Sequence, residues 1–162
     1  MALRLPKREL PAVEFRCVLP EAFGPGGECF IEIDARAAGA INAPFVMAVE
    51  RAMQQHRIGM RKLGKLEDDA AYVEADAKLA AESTRSRLLA IYDHCVIAWR
   101  SNIQVLDEKD NVVPITCDRD SFAELAEMRG VPEIAKALAK FEAACVDAGK
   151  LQAEDDEATV KN

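Results

Sequence analysis

"AWRSNIQVLDEKDNVVPIT", Ala98 to Thr116, contains the chain's only tryptophan. Beyond Trp99 the residues read strand, polar turn, strand, with "NIQVL" and "NVVPI" flanking "DEKD". Two short β-prone runs around a polar turn predict a β-hairpin. Pro114 has no N–H to donate to a ladder, which places the second strand at an edge. Helical patterns lie on both sides, so the hairpin is a corner that returns the chain to its core. On this reading Trp99 and Pro114 are structural anchors.

Upstream, "LEDDAAYVEADAKLAAESTRSRLLAIYDHCVIAWR" is the longest helical pattern. Val73, Ala77, Ala80, Thr84, Leu88, Ile91, Cys95 and Trp99 recur at spacings of three or four, which predicts one helix ending at Trp99. About 30 residues at 1.5 Å each would span roughly 45 Å. Before it, "INAPFVMAVERAMQQHRIGMRKLG" predicts a second long helix. Asn42 is its N-cap, Pro44 fits its first turn and Gly64 stops it. Phe45, Val49, Ala52, Met53, His56, Met60 and Leu63 fall at helical spacing.

Nearer the start, "VEFRCVL" alternates apolar and polar residues, and "CFIEI" follows the turn-rich "PEAFGPGGE". These predict an N-terminal antiparallel hairpin. Downstream, Thr116 or Asp118 caps a helix that stops at Gly130. Pro132 opens another, with Ile134, Leu138, Phe141 and Cys145 as its stripe and Gly149 as its end. The expected fold class is α+β, mainly α. Its parts are an N-terminal β-hairpin, two long central helices, a short β-hairpin after Trp99, two C-terminal helices and a disordered acidic tail. Residues 1–150 form one globular domain, with 1–12 a flexible arm, and 151–162 are the tail.

The 162 residues suffice for one domain with a core. A formal net charge of −7 argues against nucleic acid as the main partner. No run of about 18 apolar residues predicts a membrane span. Pro6 and Pro11 interrupt the basic start, so no signal peptide is expected. Five cysteines without a C-x-x-C pair read as reduced, mostly buried thiols.

Few residues invite chemistry. His56 lies on an apolar helical face. His94 and Cys95 adjoin, but neighbouring helical residues do not face each other, and a thiol on a buried stripe is inert. "CDRDS" and "DEKDN" lack the glycine and terminal glutamate of a calcium loop; capping and turn formation account for their acids. Arg51, Arg57, Arg61, Lys62 and Lys65 form the one basic segment, read as a solvated helix end rather than a nucleic-acid site. No phosphate-binding, dinucleotide or nucleophile-elbow motif is present. The expectation is a protein without enzymatic activity, metal or cofactor.

The stretch "LLAIYDHCVIAWRSNIQVLDEKDNVVPITCDRDSFAELAEM", anchored by Trp99 and Pro114 to Thr116, resembles the tail assembly chaperones of long-tailed (siphophage-type) bacteriophages and prophages. In that family a long helix runs into a tryptophan, then a stretch of the type N-I-x-x-x-D-x-x-x-x-x-P-I-T, then terminal helices. Element order matches over about residues 13–148, and Trp99 to Leu125 is the motif-like part. The resemblance implies a host-cytoplasmic protein, absent from the mature virion, that binds the tape measure protein and recruits tail tube subunits. It also implies possible homo-oligomers and no membrane partner. A small virion structural subunit of the tail or head–tail junction is the alternative. Met47, Met53 and Met60, together with Arg57 and Arg61, are the candidate partner-binding residues, since methionine adapts to varied partners. Core packing is the competing reading for the methionines, and their spacing favours it.

Overall fold

A computed structural model describes residues 9–128 and 131–160. Strands β1 (Ala12–Leu19) and β2 (Cys29–Arg36) pair antiparallel, with Phe15 opposite Ile33 and Cys17 opposite Ile31. Helices α1 (Ala43–Leu63) and α2 (Asp69–Cys95) follow. Strand β3 (Val96–Ser101) then lies on the free side of β2, giving the order β1-β2-β3. Strands β4 (Gln104–Leu106) and β5 (Val112–Pro114) form a separate two-stranded sheet, and α3 (Arg119–Glu127) and α4 (Pro132–Val160) complete the described chain. None of these helices is long and apolar enough to cross a membrane.

Two expectations are corrected. The long helix ends at Cys95, because Val96 turns extended (φ −70°, ψ 129°) and Trp99 pairs with Ile33 in the sheet. The N-terminal unit is therefore a three-stranded sheet rather than a hairpin. The i, i+4 step from Cys95 to Trp99 imitated a helix, but both side chains point inward for different reasons. Cys95 does so by helical period, Trp99 by alternation with exposed Arg100 along a β-strand. A helical continuation would also have left one edge of β2 unpaired.

The acidic tail is the second correction. Residues 151–160 are the last turns of α4, not a disordered segment. The helix is already nucleated before it reaches them, and Gly149 is followed by no proline or glycine. Gln152 donates to Asp156 and the Thr159 hydroxyl to the Asp155 carbonyl, each one turn apart. Gly149 lies inside the helix, not at its end. Of the expected arm, Ala12 opens β1 and Pro11 O accepts from Ala37 N–H at 2.8 Å. Residues 1–8 and 161–162, and the expected stop at Gly130, lie outside the described residues.

The inner face of the sheet carries Val13, Leu19, Cys29, Ile31, Ile33, Ala35 and Trp99, all buried. The end of α2 (Leu88, Ile91, Cys95), α3 (Phe122, Leu125) and α4 (Ile134, Leu138, Phe141, Cys145) contribute the rest of that core. Phe122 is its hub, with ring centroids 5.6 Å from Trp99, 5.1 Å from Tyr92 and 6.4 Å from Phe141. The outer face is polar and wet: Arg16 and Arg100 both pair with Glu32 across the strands.

Candidate functional site

The α1–α2 hairpin projects from this core. Asn42 fixes its root. Its side-chain oxygen accepts from Phe45 N–H at 3.3 Å, capping α1 as the sequence predicts. Its amide donates to the carbonyls of Ala37 and His94, each at 3.1 Å. That ties the start of α1 to the ends of β2 and α2. Beyond the root, the buried residues of α2 are Leu88, Ala90, Ile91 and Cys95, all in its last two turns. Helix α1 buries only Phe45 and Leu63 and packs chiefly on α2. At Gly59 the helices lie close, and a Cβ there would meet only the movable end of Leu79, its Cδ1 at 2.4 Å.

Ile58, Leu66, Tyr72, Val73 and the three candidate methionines are exposed on this projection, while Val18, Ile97, Leu106, Val112 and Leu151 are exposed elsewhere. Met47, Met53 and Met60 are 61%, 55% and 43% exposed, which removes core packing as their role. Met53 and Met60, seven residues apart, share one face. Met47 precedes Met53 by six residues and points about 120° away at 3.6 residues per turn. Arg57 lies one turn beyond Met53 and Arg61 one turn beyond Arg57, on the flank of the same strip. Sequence reading missed Val73, placing it on a buried stripe. The signal was present: Ala77, Ala80 and Thr84 are too small to fill a core until Leu88 is reached.

Val49, Ala52, Met53 and His56 of α1 line a groove of ≈300 Å³ against Ser83 and Arg87 of α2, with Arg57 at its rim. Arg87 is held by Glu142 at 3.0 Å, whereas neither Arg57 nor Arg61 makes an ion pair among the described residues. His56 Nδ1 is buried without a hydrogen-bond partner among the described residues. Such an orphan costs about 1–3 kcal/mol unless something outside satisfies it.

The other candidates resolve into structure. Burial pushes the Cys95 thiol up to about 11 and the Cys145 thiol up to about 12. His94 is exposed while Cys95 is buried, so the two do not form a nucleophile pair. Asp107 accepts from Asn111 and from Lys109 N–H, closing the β4–β5 turn, and these bonds hold its carboxyl low. Asp118, rather than Thr116, caps α3 by accepting from Ser121 N–H at 2.8 Å. Trp99 Nε1 donates to Asp118 O at 3.2 Å, which locks the corner to the helix that follows. Pro114 lies opposite Gln104 at the end of the two-stranded sheet. Among the described residues no group of three His, Cys, Asp or Glu side chains is placed to hold a metal ion.

Compared with known protein families, curated proteins and solved structures, the chain matches none.

Proposed function

We propose that this protein is a tail assembly chaperone of a long-tailed phage or prophage. It acts in the host cytoplasm without enzymatic activity, binds the tape measure protein through the α1–α2 hairpin and recruits tail tube subunits. The observation that carries the reading is the hairpin itself, anchored at Asn42 and presenting Met53 and Met60 to solvent. The resemblance from Trp99 to Leu125 names the assembly. A long helical partner with exposed apolar stripes aggregates unless they are covered. A methionine-bearing strip covers varied stripes without demanding one shape.

The test is co-expression with the tape measure protein encoded alongside it. A soluble complex is expected; an insoluble tape measure protein with this chain unbound refutes the reading. Mass spectrometry of purified virions separates the alternative, since a structural subunit stays in the particle and a chaperone does not.

A further inference from the structure

The charge around the Met53 strip specifies the partner more narrowly. Helix α1 carries Arg51, Arg57, Arg61 and Lys62 against Glu50 alone, a net +3. The chain as a whole carries −7, so the rest holds −10. An acidic partner is repelled by most of the surface and drawn to this helix. Arg57 and Arg61 make no ion pair among the described residues, while Arg16, Arg85, Arg87, Arg100 and Arg119 all do. Val49, Ala52 and Met53 line the groove beside Arg57, and so does His56, whose Nδ1 is buried without a hydrogen-bond partner among the described residues.

We infer that this groove receives an amphipathic helix whose apolar stripe is flanked by carboxylates. Its apolar side chains seat on Val49, Ala52 and Met53. Its acids, one turn apart, meet Arg57 and Arg61, which are themselves one turn apart. Two antiparallel helices offer the furrow into which a third packs. Nucleic acid fits less well: no exposed aromatic side chain lies between the cations of α1, and the rest of the chain holds a net −10. The inference rests on the chaperone reading and narrows it to one class of partner segment.

Fluorescence anisotropy of the full chain with two labelled three-heptad helical peptides tests it. Both carry leucine at the core positions; one has glutamate at the flanks, the other lysine. The glutamate peptide is expected to bind about tenfold or more tighter, a gap of about 1.4 kcal/mol. Arg57→Glu with Arg61→Glu should erase or reverse that preference, and Met53→Lys should weaken both peptides. Val112→Lys, an equally exposed site on β5, should change nothing. Circular dichroism confirms that each variant is folded. Equal affinity for the two peptides, no binding by the folded chain, or tighter binding of labelled duplex DNA overturns the inference. Failure in the tape measure co-expression with these peptide results intact removes the tail assignment and leaves the site. Undiminished tape measure binding by the Met53→Lys, Arg57→Glu, Arg61→Glu triple variant removes the site and leaves the assignment.

Discussion

Gly149 lies inside α4, where glycine ordinarily costs a helix about 1 kcal/mol relative to alanine. Gly149→Ala would then stabilise an isolated helix. In the folded chain a Cβ at this position would meet the Ala38 carbonyl oxygen at 1.8 Å and its carbon at 3.0 Å. Backbone cannot rotate away as a side-chain tip can, so α4 must move off the end of β2 by about 1 Å or more. That movement strains the bond from Ala38 N–H to Cys145 O, now 2.9 Å. Overpacking costs about 1–3 kcal/mol and a weakened hydrogen bond about 1 kcal/mol. Less the propensity gain, Gly149→Ala should destabilise by about 1–3 kcal/mol. Urea unfolding followed by circular dichroism and Trp99 fluorescence measures this, with a thermal midpoint falling about 2–4 °C per kcal/mol for a chain of this size. Gly59→Ala is the control, since its Cβ meets only the flexible end of Leu79. A neutral or stabilising Gly149→Ala would refute the close packing of α4 on Ala38.

Trp99→Ala should cost about 3–5 kcal/mol, because the ring is buried against Phe122; a loss well below 1 kcal/mol in urea unfolding would contradict its place in the core. With Ellman's reagent, exposed Cys117 should react fast, and buried Cys29, Cys95 and Cys145 only on unfolding. Arg119 clasps Asp93 at 2.7 and 2.9 Å and holds its carboxyl below the usual carboxylate range. A lowered folded-state pKa contributes stability that is present above the unfolded value, near pH 4, and is lost as pH falls through the folded one. Both side chains are more than a third exposed, so Asp93→Asn should cost at most about 1 kcal/mol at pH 7 and almost nothing at pH 2, read from urea midpoints.

Local chemistry was legible in the residues. Asn42, Pro44 and Gly64 bound α1 where they announce it, and alternation in "VEFRCVL" and "CFIEI" marked β1 and β2, which pair antiparallel. The β4–β5 hairpin was equally plain, because "DEKD" supplies its own turn through Asp107. Long-range pairing was not. Nothing within "VIAWRS" states that an open edge of β2 awaits it 60 residues away in the chain, and an apolar i, i+4 step serves helix and strand alike. Low apolar content in "QAEDDEATV" suggested disorder, although its alanines and glutamates propagate a helix begun upstream. For the candidate surface, type and position were readable but exposure was not. Met53, Met60 and Val73 look like core until α2 is seen to outrun the sheet that buries its last turns.

Hydrogen–deuterium exchange of the full chain, alone and with the tape measure protein encoded alongside it, tests the hairpin as the binding surface most directly. Protection concentrated in residues 46–87, strongest around Met53 and Arg57, is the expected result. Binding with protection confined to the sheet or to the β4–β5 hairpin, and with residues 46–87 exchanging as in the free chain, would contradict it.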